Sequence, residues 1–338
     1  MLITDMANVR YLSGFTGSNG YVLITARGAW FFTDPRYTEQ ARQEVKGLRL
    51  KTLKGNALLT IKDFLGRLVV SSLAFESENM SYKRWQDLKK ALGPGTRLKP
   101  VAGFVEPQRR LKSPCEIALI RKAVDAADAA LDKALKQIKT GVTEDFVSRV
   151  LEDAIRDEGA QGPAFEIIVA SGERSAMAHA RPTAKRIKKG EFLLIDMGAK
   201  FNGYHSDMTR TYVLGRPSVR QRNIYTVVKE AQLSAIQSIR PGKSARDIDA
   251  VARGFIRKAG YGRFFGHGTG HGIGLNVHES PNISPLSLDT VEQGMVFTVE
   301  PGVYVPGLGG VRIEDMVLVT KTGCEVLTNT SRRLEMLF

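Results

Sequence analysis

The chain has 338 residues, of which 43% are hydrophobic and 25% are charged, as in ordinary globular proteins. This composition excludes a disordered chain, a collagen-like chain and a coiled-coil rod, and the length favours two domains. Lys and Arg exceed Asp and Glu by 49 to 35, which gives a formal net charge of +14. Such an excess permits nucleic-acid binding but is also common in soluble enzymes, the interpretation that we favour.

The sequence shows no sign of membrane insertion or secretion. No apolar run approaches the ~18 to 20 residues that a membrane span needs, and Asp5 lies where a secretory signal would be apolar. We therefore expect a cytoplasmic protein with no membrane partner. Cys115 and Cys324 are far apart in the sequence, which disfavours both a disulfide framework and a zinc ribbon.

The first 105 residues are typical of a small α/β domain. Short apolar runs indicate strands at 21–25, 29–33 and 68–74. The amphipathic stretch 37–45 indicates a helix, and Leu92-Gly93-Pro94-Gly95 breaks the pattern. Residues 100–111 are expected to form a linker. We therefore place a boundary near residue 105, with one domain over 1–105 and a second over 106–338.

The second domain opens with a helix signal. Ser113 is a predicted N-cap, Pro114 occupies the first helical position and Glu116 completes a capping box. Apolar residues then recur every three or four positions until Gly141, and another helix follows a Thr143 cap. Further helices are expected over 219–239 and 244–259, and strands over 192–197, 206–214, 295–300 and 311–319. The repeated order of helices then strands predicts an α+β domain with two similar halves.

Four carboxylates lie in apolar, strand-like surroundings, where an unpaired charge is expensive to bury. Asp196 ends one such run, and Asp207 follows eleven residues later, beyond a predicted turn at Asn202-Gly203. Glu300 and Glu314 lie in two similar runs. A salt bridge or an exposed strand end would explain any one of them, but four carboxylates with too few arginines nearby favour a metal site.

Three of the five histidines, His267, His271 and His278, lie in the glycine-rich segment 266–279. The glycines beside His271 allow the backbone to approach closely and leave the imidazole free to bind a metal. The segment lacks the Lys and the spacing of a phosphate-binding loop. One imidazole with four carboxylates favours Mn²⁺, Co²⁺, Fe²⁺ or Zn²⁺, and four negative charges balance two such ions.

These residues resemble the pita-bread metallopeptidases, which include methionine aminopeptidase, Xaa-Pro aminopeptidase and Xaa-Pro dipeptidase (prolidase). The resemblance covers about residues 107 to 330 and rests on the order Asp, Asp after eleven residues, His, Glu, Glu. It implies two divalent metal ions, with Mn²⁺ favoured over Co²⁺, Zn²⁺ and Fe²⁺, and attack by a hydroxide that bridges them. It also implies that the metal ligands are Asp196, Asp207, His271, Glu300 and Glu314, and that Glu300 accepts a proton from the attacking water.

Three features resemble the proline-directed branch of this family more than methionine aminopeptidase. Arg312 lies two residues before the last Glu ligand, and His267 lies four residues before the His ligand. Segments 11–18 and 32–37 resemble the creatinase/prolidase N-terminal domain, which methionine aminopeptidase lacks. Residues 2–5 resemble the first strand of that domain, so we expect it to be shortened at its start. Creatinase shares both domains but lacks the metal ligands, which argues against it.

The resemblance also implies roles for residues outside the ligand set. His179, His267, His278 and Arg312 would contact the substrate, and His179 and His278 would act in catalysis, since His278 would steady the tetrahedral intermediate. His205 has no such counterpart. We therefore expect a homodimeric Xaa-Pro aminopeptidase that acts on peptides with proline in the second position.

Three alternatives remain open at this point. They are an Xaa-Pro dipeptidase, then a methionine aminopeptidase and, in a different class, a catalytically silent pita-bread protein that binds peptides or nucleic acid. The net charge and the cluster Lys185, Arg186, Lys188 and Lys189 support the silent protein, whereas five intact ligands oppose it. Nucleic acid is therefore not an expected partner.

Overall fold

A computed structural model describes residues 1–68 and 71–337. The chain divides into two compact units, Met1–Arg109 and Arg110–Phe338. No helix among the described residues combines the length and the apolar character that a membrane crossing requires.

The first unit is a mixed sheet with helices. Its strands are β1 (Leu2–Ile3), β2 (Tyr21–Thr25), β3 (Gly28–Thr33), β4 (Arg49–Thr52), β5 (Ser72–Glu76) and β6 (Arg97–Val101). Its helices are α1 (Met6–Ser13), α2 (Thr38–Glu44), α3 (Ala57–Arg67), α4 (Tyr82–Leu92) and α5 (Glu106–Arg110), the last of which reaches the boundary of the unit. The strand order is β4-β3-β2-β1-β5-β6. Leu2 and Leu23 enter one apolar cluster and Ile3 and Val22 enter another, so both faces of the sheet are buried.

Most of the elements expected in this unit are present, with two differences. The strand expected at 68–74 is β5, which begins at Ser72, and residues 69 and 70 of that expectation lie outside the described residues. The linker expected at 100–111 contains the helix α5. Pro107 lies in the first turn of α5, where proline removes no intrahelical hydrogen bond.

The second unit contains longer helices and many short strands. Its helices are α6 (Pro114–Leu135), α7 (Glu144–Asp157), α8 (Val219–Gln237) and α9 (Ala245–Lys258). Its strands are β7 (Gly162–Pro163), β8 (Ile168–Ser171), β9 (Phe192–Met197), β10 (Ala199–Phe201), β11 (Tyr204–His205), β12 (Met208–Leu214), β13 (Gly270–Gly272), β14 (Glu279–Ile283), β15 (Val296–Val299), β16 (Gly302–Val305), β17 (Gly309–Arg312), β18 (Asp315–Val319), β19 (Cys324–Val326) and β20 (Met336–Leu337).

The unit has two halves, each with a pair of helices packed on a sheet, as the sequence predicts. Helices α6 and α7 share an apolar cluster with the sheet β20-β12-β9-β8, and α8 and α9 share another with the sheet β14-β13-β15-β18-β19. The predicted capping box starts α6, since Ser113 Oγ accepts a hydrogen bond from Glu116 N. The helix ends at Leu135 and not near Gly141, whose amide instead donates to the Ile187 carbonyl.

The prediction of a single strand over 311–319 is wrong. Two strands, β17 and β18, lie in different sheets, and Ile313 and Glu314 separate them. The backbone of Glu314 bonds elsewhere, because its amide donates to the Thr209 carbonyl and its carbonyl accepts from Arg210 Nη1. This break leaves Glu314 between two strand ends.

A fully buried ion pair ties this break to the C-terminal segment. Arg210 Nη2 lies 2.6 Å from Asp315 Oδ1, and both side chains are almost inaccessible to solvent. The Arg210 guanidinium also donates to the carbonyls of Thr330 and Ser331. Asp315 Oδ2 accepts further hydrogen bonds from Gln232 and Arg332. The pair therefore joins β12 and β18 to the segment 330–332.

We expect Asp315→Asn to lower the free energy of unfolding of the second unit by about 3–5 kcal/mol, because Arg210 would stay buried without a counter-charge. Urea unfolding of the chelator-treated protein at pH 7 measures this loss without a contribution from bound metal. Glu325→Gln is the matched control, since it breaks the exposed pair with Arg121 and should cost less than about 1 kcal/mol. Equal losses in the two variants would contradict the role of the buried pair.

Candidate metal centre

A β-hairpin brings the first two predicted ligands together. Asp196 lies in β9, and its register partner in β12 is Thr209. Asp207 directly precedes β12. The chain reverses between β10 and β11 at Asn202 and Gly203, whose φ angles of 42° and 79° fit the turn that the sequence predicts.

The other predicted ligands come from the second half of the unit. His271 lies in β13, Glu300 follows β15, and Glu314 lies between β17 and β18. The glycines beside His271 are required by close packing. A Cβ atom at Gly270 would lie 1.9 Å from the Thr298 carbonyl oxygen, and one at Gly272 would lie 2.2 Å from the Ser280 carbonyl oxygen.

These residues surround one cavity of about 660 Å³. Every site residue expected from the sequence lines it: His179, Asp196, Asp207, His267, His271, His278, Glu300, Arg312 and Glu314. His205, which had no expected role, is buried elsewhere and has its Nδ1 atom 3.0 Å from the Gly274 carbonyl oxygen.

Three of the predicted ligands form a compact group. Asp207, His271 and Glu314 each offer one ligand atom, and these atoms lie within 4.8 Å of one another. Glu300 is adjacent, with its Oε1 atom 3.5 Å from His271 Nε2. The His271 Nδ1 atom faces the Gly272 carbonyl at 3.1 Å, so a proton on Nδ1 leaves the Nε2 lone pair directed at the carboxylates. Asp196 lines the same cavity but lies outside this group of three.

Burial and mutual repulsion disfavour the charged forms of these groups. Burial, and after it the Glu314 charge, raises the pKa of Asp207 well above its usual range. Burial and the Glu300 charge do the same to the pKa of Glu314. Burial raises the pKa of Glu300 to about 7 and lowers the pKa of His271. Without a cation, burial and mutual repulsion therefore favour the protonated forms of Asp207, Glu300 and Glu314.

Asp196 has one satisfied oxygen and one unsatisfied oxygen. Its Oδ2 atom accepts a hydrogen bond of 2.5 Å from Arg312 Nη2. Its Oδ1 atom is buried and accepts no hydrogen bond from the described residues. A buried carboxylate oxygen without a partner is costly, and a cation would satisfy it. The unsatisfied oxygen, the clustered oxygen and nitrogen donors and the raised pKa values of three of the carboxyl groups together fit divalent metal ions.

Sequence reasoning missed three residues that hold the site. Thr209 Oγ1 donates to Glu314 Oε2 at 2.6 Å, and Thr298 Oγ1 donates to Glu300 Oε1 at 3.3 Å. Thr209 lies two residues from Asp207, and Thr298 lies two residues from Glu300. Residues at that spacing share one side of an extended chain, so the sequence could have predicted that both threonines face the site. Tyr304 lies in β16 and had no such signal, because its contacts form only in the folded chain.

Tyr304 links Arg312 to His267. Its hydroxyl accepts a hydrogen bond of 2.7 Å from Arg312 Nη1 and lies 2.9 Å from His267 Nε2. Burial, and after it the Arg312 charge, lowers the pKa of His267 to about 4, so the imidazole is neutral. With its proton on Nδ1, which faces the Gly268 carbonyl at 2.7 Å, the ring accepts from the tyrosine hydroxyl. Both ring nitrogens of His267 thus have protein partners.

The two remaining histidines lie nearer the open part of the cavity. The His278 ring lies 4.1 Å from the His271 ring, centroid to centroid, and burial lowers the pKa of His278. His179 is exposed, one residue beyond Ala178, whose carbonyl accepts a hydrogen bond from Arg312 Nη1. These positions leave both imidazoles accessible from the cavity.

Two helix pairs packed on sheets, with carboxylates and an imidazole between them, are the arrangement of a pita-bread protein with a candidate metal site. The chain belongs to metallopeptidase family M24, whose model matches residues 118–321. Residues 1–111 match the creatinase/prolidase N-terminal domain. The chain is therefore a metallopeptidase, and the predicted resemblance and fold class are confirmed.

Relatives that align over nearly their whole length include proteins named Xaa-Pro dipeptidase and X-Pro aminopeptidase. A Xaa-Pro dipeptidase from Pyrococcus horikoshii is 39% identical, with 99% of this chain and 93% of that protein covered. The structure of a Xaa-Pro dipeptidase from Bacillus anthracis has a TM-score of 0.97 and 41% identity, covering 99% and 94%. An X-Pro aminopeptidase from Thermotoga maritima has a TM-score of 0.92 and 36% identity, covering 99% and 97%.

We expect Asp207→Asn to abolish hydrolysis and to lower the metal content, because an amide cannot supply the negative charge that a cation needs here. Metal analysis after dialysis, together with turnover, measures both effects. Asp247→Asn, in the first turn of α9 and away from the cavity lining, is the control. Full metal occupancy with near-wild-type turnover in Asp207→Asn would contradict the assignment.

We expect Arg312→Lys to lower kcat by about 10- to 100-fold while bound metal persists, because an ammonium group cannot bind Asp196 and Tyr304 in the same planar geometry. Stopped assays at saturating substrate and metal analysis test the two parts separately. Arg186→Lys, at an exposed position, controls for the exchange itself. Loss of metal from Arg312→Lys would favour a purely structural role, and unchanged kcat would contradict the prediction.

Proposed function

We propose that the protein is an Xaa-Pro dipeptidase, which hydrolyses the bond between an N-terminal residue and a C-terminal proline. The observation that carries this proposal is the likeness, over nearly the whole chain, to proteins named Xaa-Pro dipeptidase. From the sequence alone an Xaa-Pro aminopeptidase was expected first, and these relatives favour the dipeptidase alternative. The X-Pro aminopeptidase remains the second candidate, since one similar structure carries that name.

We propose that Asp196, Asp207, His271, Glu300 and Glu314 hold two divalent cations. The donor set supports Mn²⁺ first, because four of the five donors are hard carboxylates. Bound there, such cations supply the Lewis acidity that peptide hydrolysis needs. The four carboxylates balance the charge of two such ions, which supports a dinuclear site over a single ion.

Glu300 is the proposed proton carrier. Its carboxylate lies within the group of predicted ligands, with Oε1 3.5 Å from His271 Nε2, close to where the attacking water would be held. In the proposed cycle it takes a proton from the attacking water and delivers it to the departing proline nitrogen. His278, accessible at the cavity, stabilises the developing oxyanion, and His179 orients the substrate.

Arg312 and His267 act mainly through other residues in this proposal. The guanidinium of Arg312 holds Asp196 and Tyr304, and Tyr304 in turn holds His267. These hydrogen bonds hold the Asp196 carboxylate in its orientation toward the cavity. Phe165, Ile167 and Val277 line the same cavity and offer apolar surface to the substrate.

A substrate panel tests the proposal. In the presence of Mn²⁺, kcat/KM should be highest for Ala-Pro, lower for Ala-Pro-Ala and lowest for Met-Ala-Ser. The chelator-treated protein and the Asp207→Asn variant are the controls for metal-dependent turnover. A preference for Ala-Pro-Ala would favour the aminopeptidase, and a preference for Met-Ala-Ser would overturn the proline-directed assignment.

A further inference from the structure

A dipeptide brings a free C-terminal carboxylate into the cavity, and a permanently charged guanidinium or ammonium group is the strongest side-chain partner for it. Among the described residues that line the cavity, Arg312 and Arg181 carry permanent positive charge. The sequence contains no Lys or Arg between residues 264 and 311, the stretch that supplies much of the lining. The choice therefore lies between these two arginines.

Arg312 is already committed to protein oxygens. Its Nε atom donates to Thr209 Oγ1, its Nη1 atom donates to the Ala178 carbonyl and the Tyr304 hydroxyl, and its Nη2 atom binds Asp196. The side chain is also buried, with 3% of its surface exposed. A substrate carboxylate would have to displace a partner that the site needs.

Arg181 is in the opposite situation. Its side chain is 80% exposed, and its Nε atom lies 3.3 Å from Oε2 of Glu166, which is itself largely exposed. Its two Nη atoms bind no protein oxygen among the described residues, so its outer edge is available. An exposed ion pair of this kind is weak and can exchange one carboxylate for another.

The backbone that carries Arg181 is fixed beside the cavity. The Arg181 carbonyl accepts a hydrogen bond of 2.6 Å from Arg174 Nη2, and Arg174 is itself paired with the buried Glu144. Three residues earlier, the Ala178 carbonyl is held by Arg312. The base of the Arg181 side chain is thus positioned, whereas its guanidinium is free to turn toward a ligand.

We propose that Arg181 binds the C-terminal carboxylate of the substrate, taking it in place of Glu166, and so selects dipeptides over longer peptides. This inference rests on the proposed function. A guanidinium pairs with a carboxylate through two parallel hydrogen bonds. In a longer peptide the group after proline is a neutral amide, which cannot form that pair.

The test compares Ala-Pro with Ala-Pro amide, which differ only in the charge of the C-terminal group. In Arg181→Gln, KM for Ala-Pro should rise by about 10- to 100-fold. The value of kcat should not change, because the contact is the same in the ground and transition states. KM for the amide should stay at the wild-type value. Arg181→Lys should restore part of the affinity for Ala-Pro.

Lys188→Gln is the matched control, because Lys188 is an exposed cation of the same unit that does not line the cavity. It should leave both substrates unaffected. An unchanged KM for Ala-Pro in Arg181→Gln, or an equal rise for Ala-Pro and its amide, would overturn this inference while the proposed function stands. Failure of the wild-type protein to hydrolyse Ala-Pro would overturn the proposed function itself, and this inference with it.

Discussion

The second unit is organised around four carboxylates in one buried cavity. Repulsion and desolvation make four such charges untenable without compensation. Arg312 compensates Asp196, and burial raises the pKa values of the other three, so the cation-free site favours protonated carboxyl groups. Divalent cations can replace those protons and satisfy the free oxygen of Asp196. The same electrostatic constraint therefore accounts for both the arginine and the metal-binding character of the site.

The strands that carry the predicted ligands also carry the groups that hold them. Asp207 and Thr209 are two residues apart, as are Thr298 and Glu300, so each threonine lies beside a carboxylate. Asp315 follows Glu314 and points into the buried ion pair with Arg210. Glu314 thus faces the cavity, whereas the next residue, Asp315, faces the protein interior. Breaking the Arg210–Asp315 pair should therefore alter the geometry of the cavity, although neither residue lines the cavity.

Local sequence patterns were sufficient for much of this arrangement. The capping box at Ser113 and the turn at Asn202 depend on neighbouring residues, and each is found where the sequence predicts it. All the site residues that the family resemblance implies line one cavity. The prediction of one strand over 311–319 is wrong, because the Glu314 amide donates to the Thr209 carbonyl and the Glu314 carbonyl accepts from Arg210, about a hundred residues away.

The sequence by itself determined the family and most of the longer helices and strands of the second unit, and it singled out residues that surround one cavity. Only the tertiary structure decided which contacts these residues make. Tyr304 lies between Arg312 and His267, and the Arg312 guanidinium donates its hydrogen bonds to protein oxygens. Arg181 lines the same cavity and stays exposed. The reason is physical: spacing and periodicity report neighbours along the chain, whereas hydrogen bonds and burial depend on segments that meet only when the chain has folded.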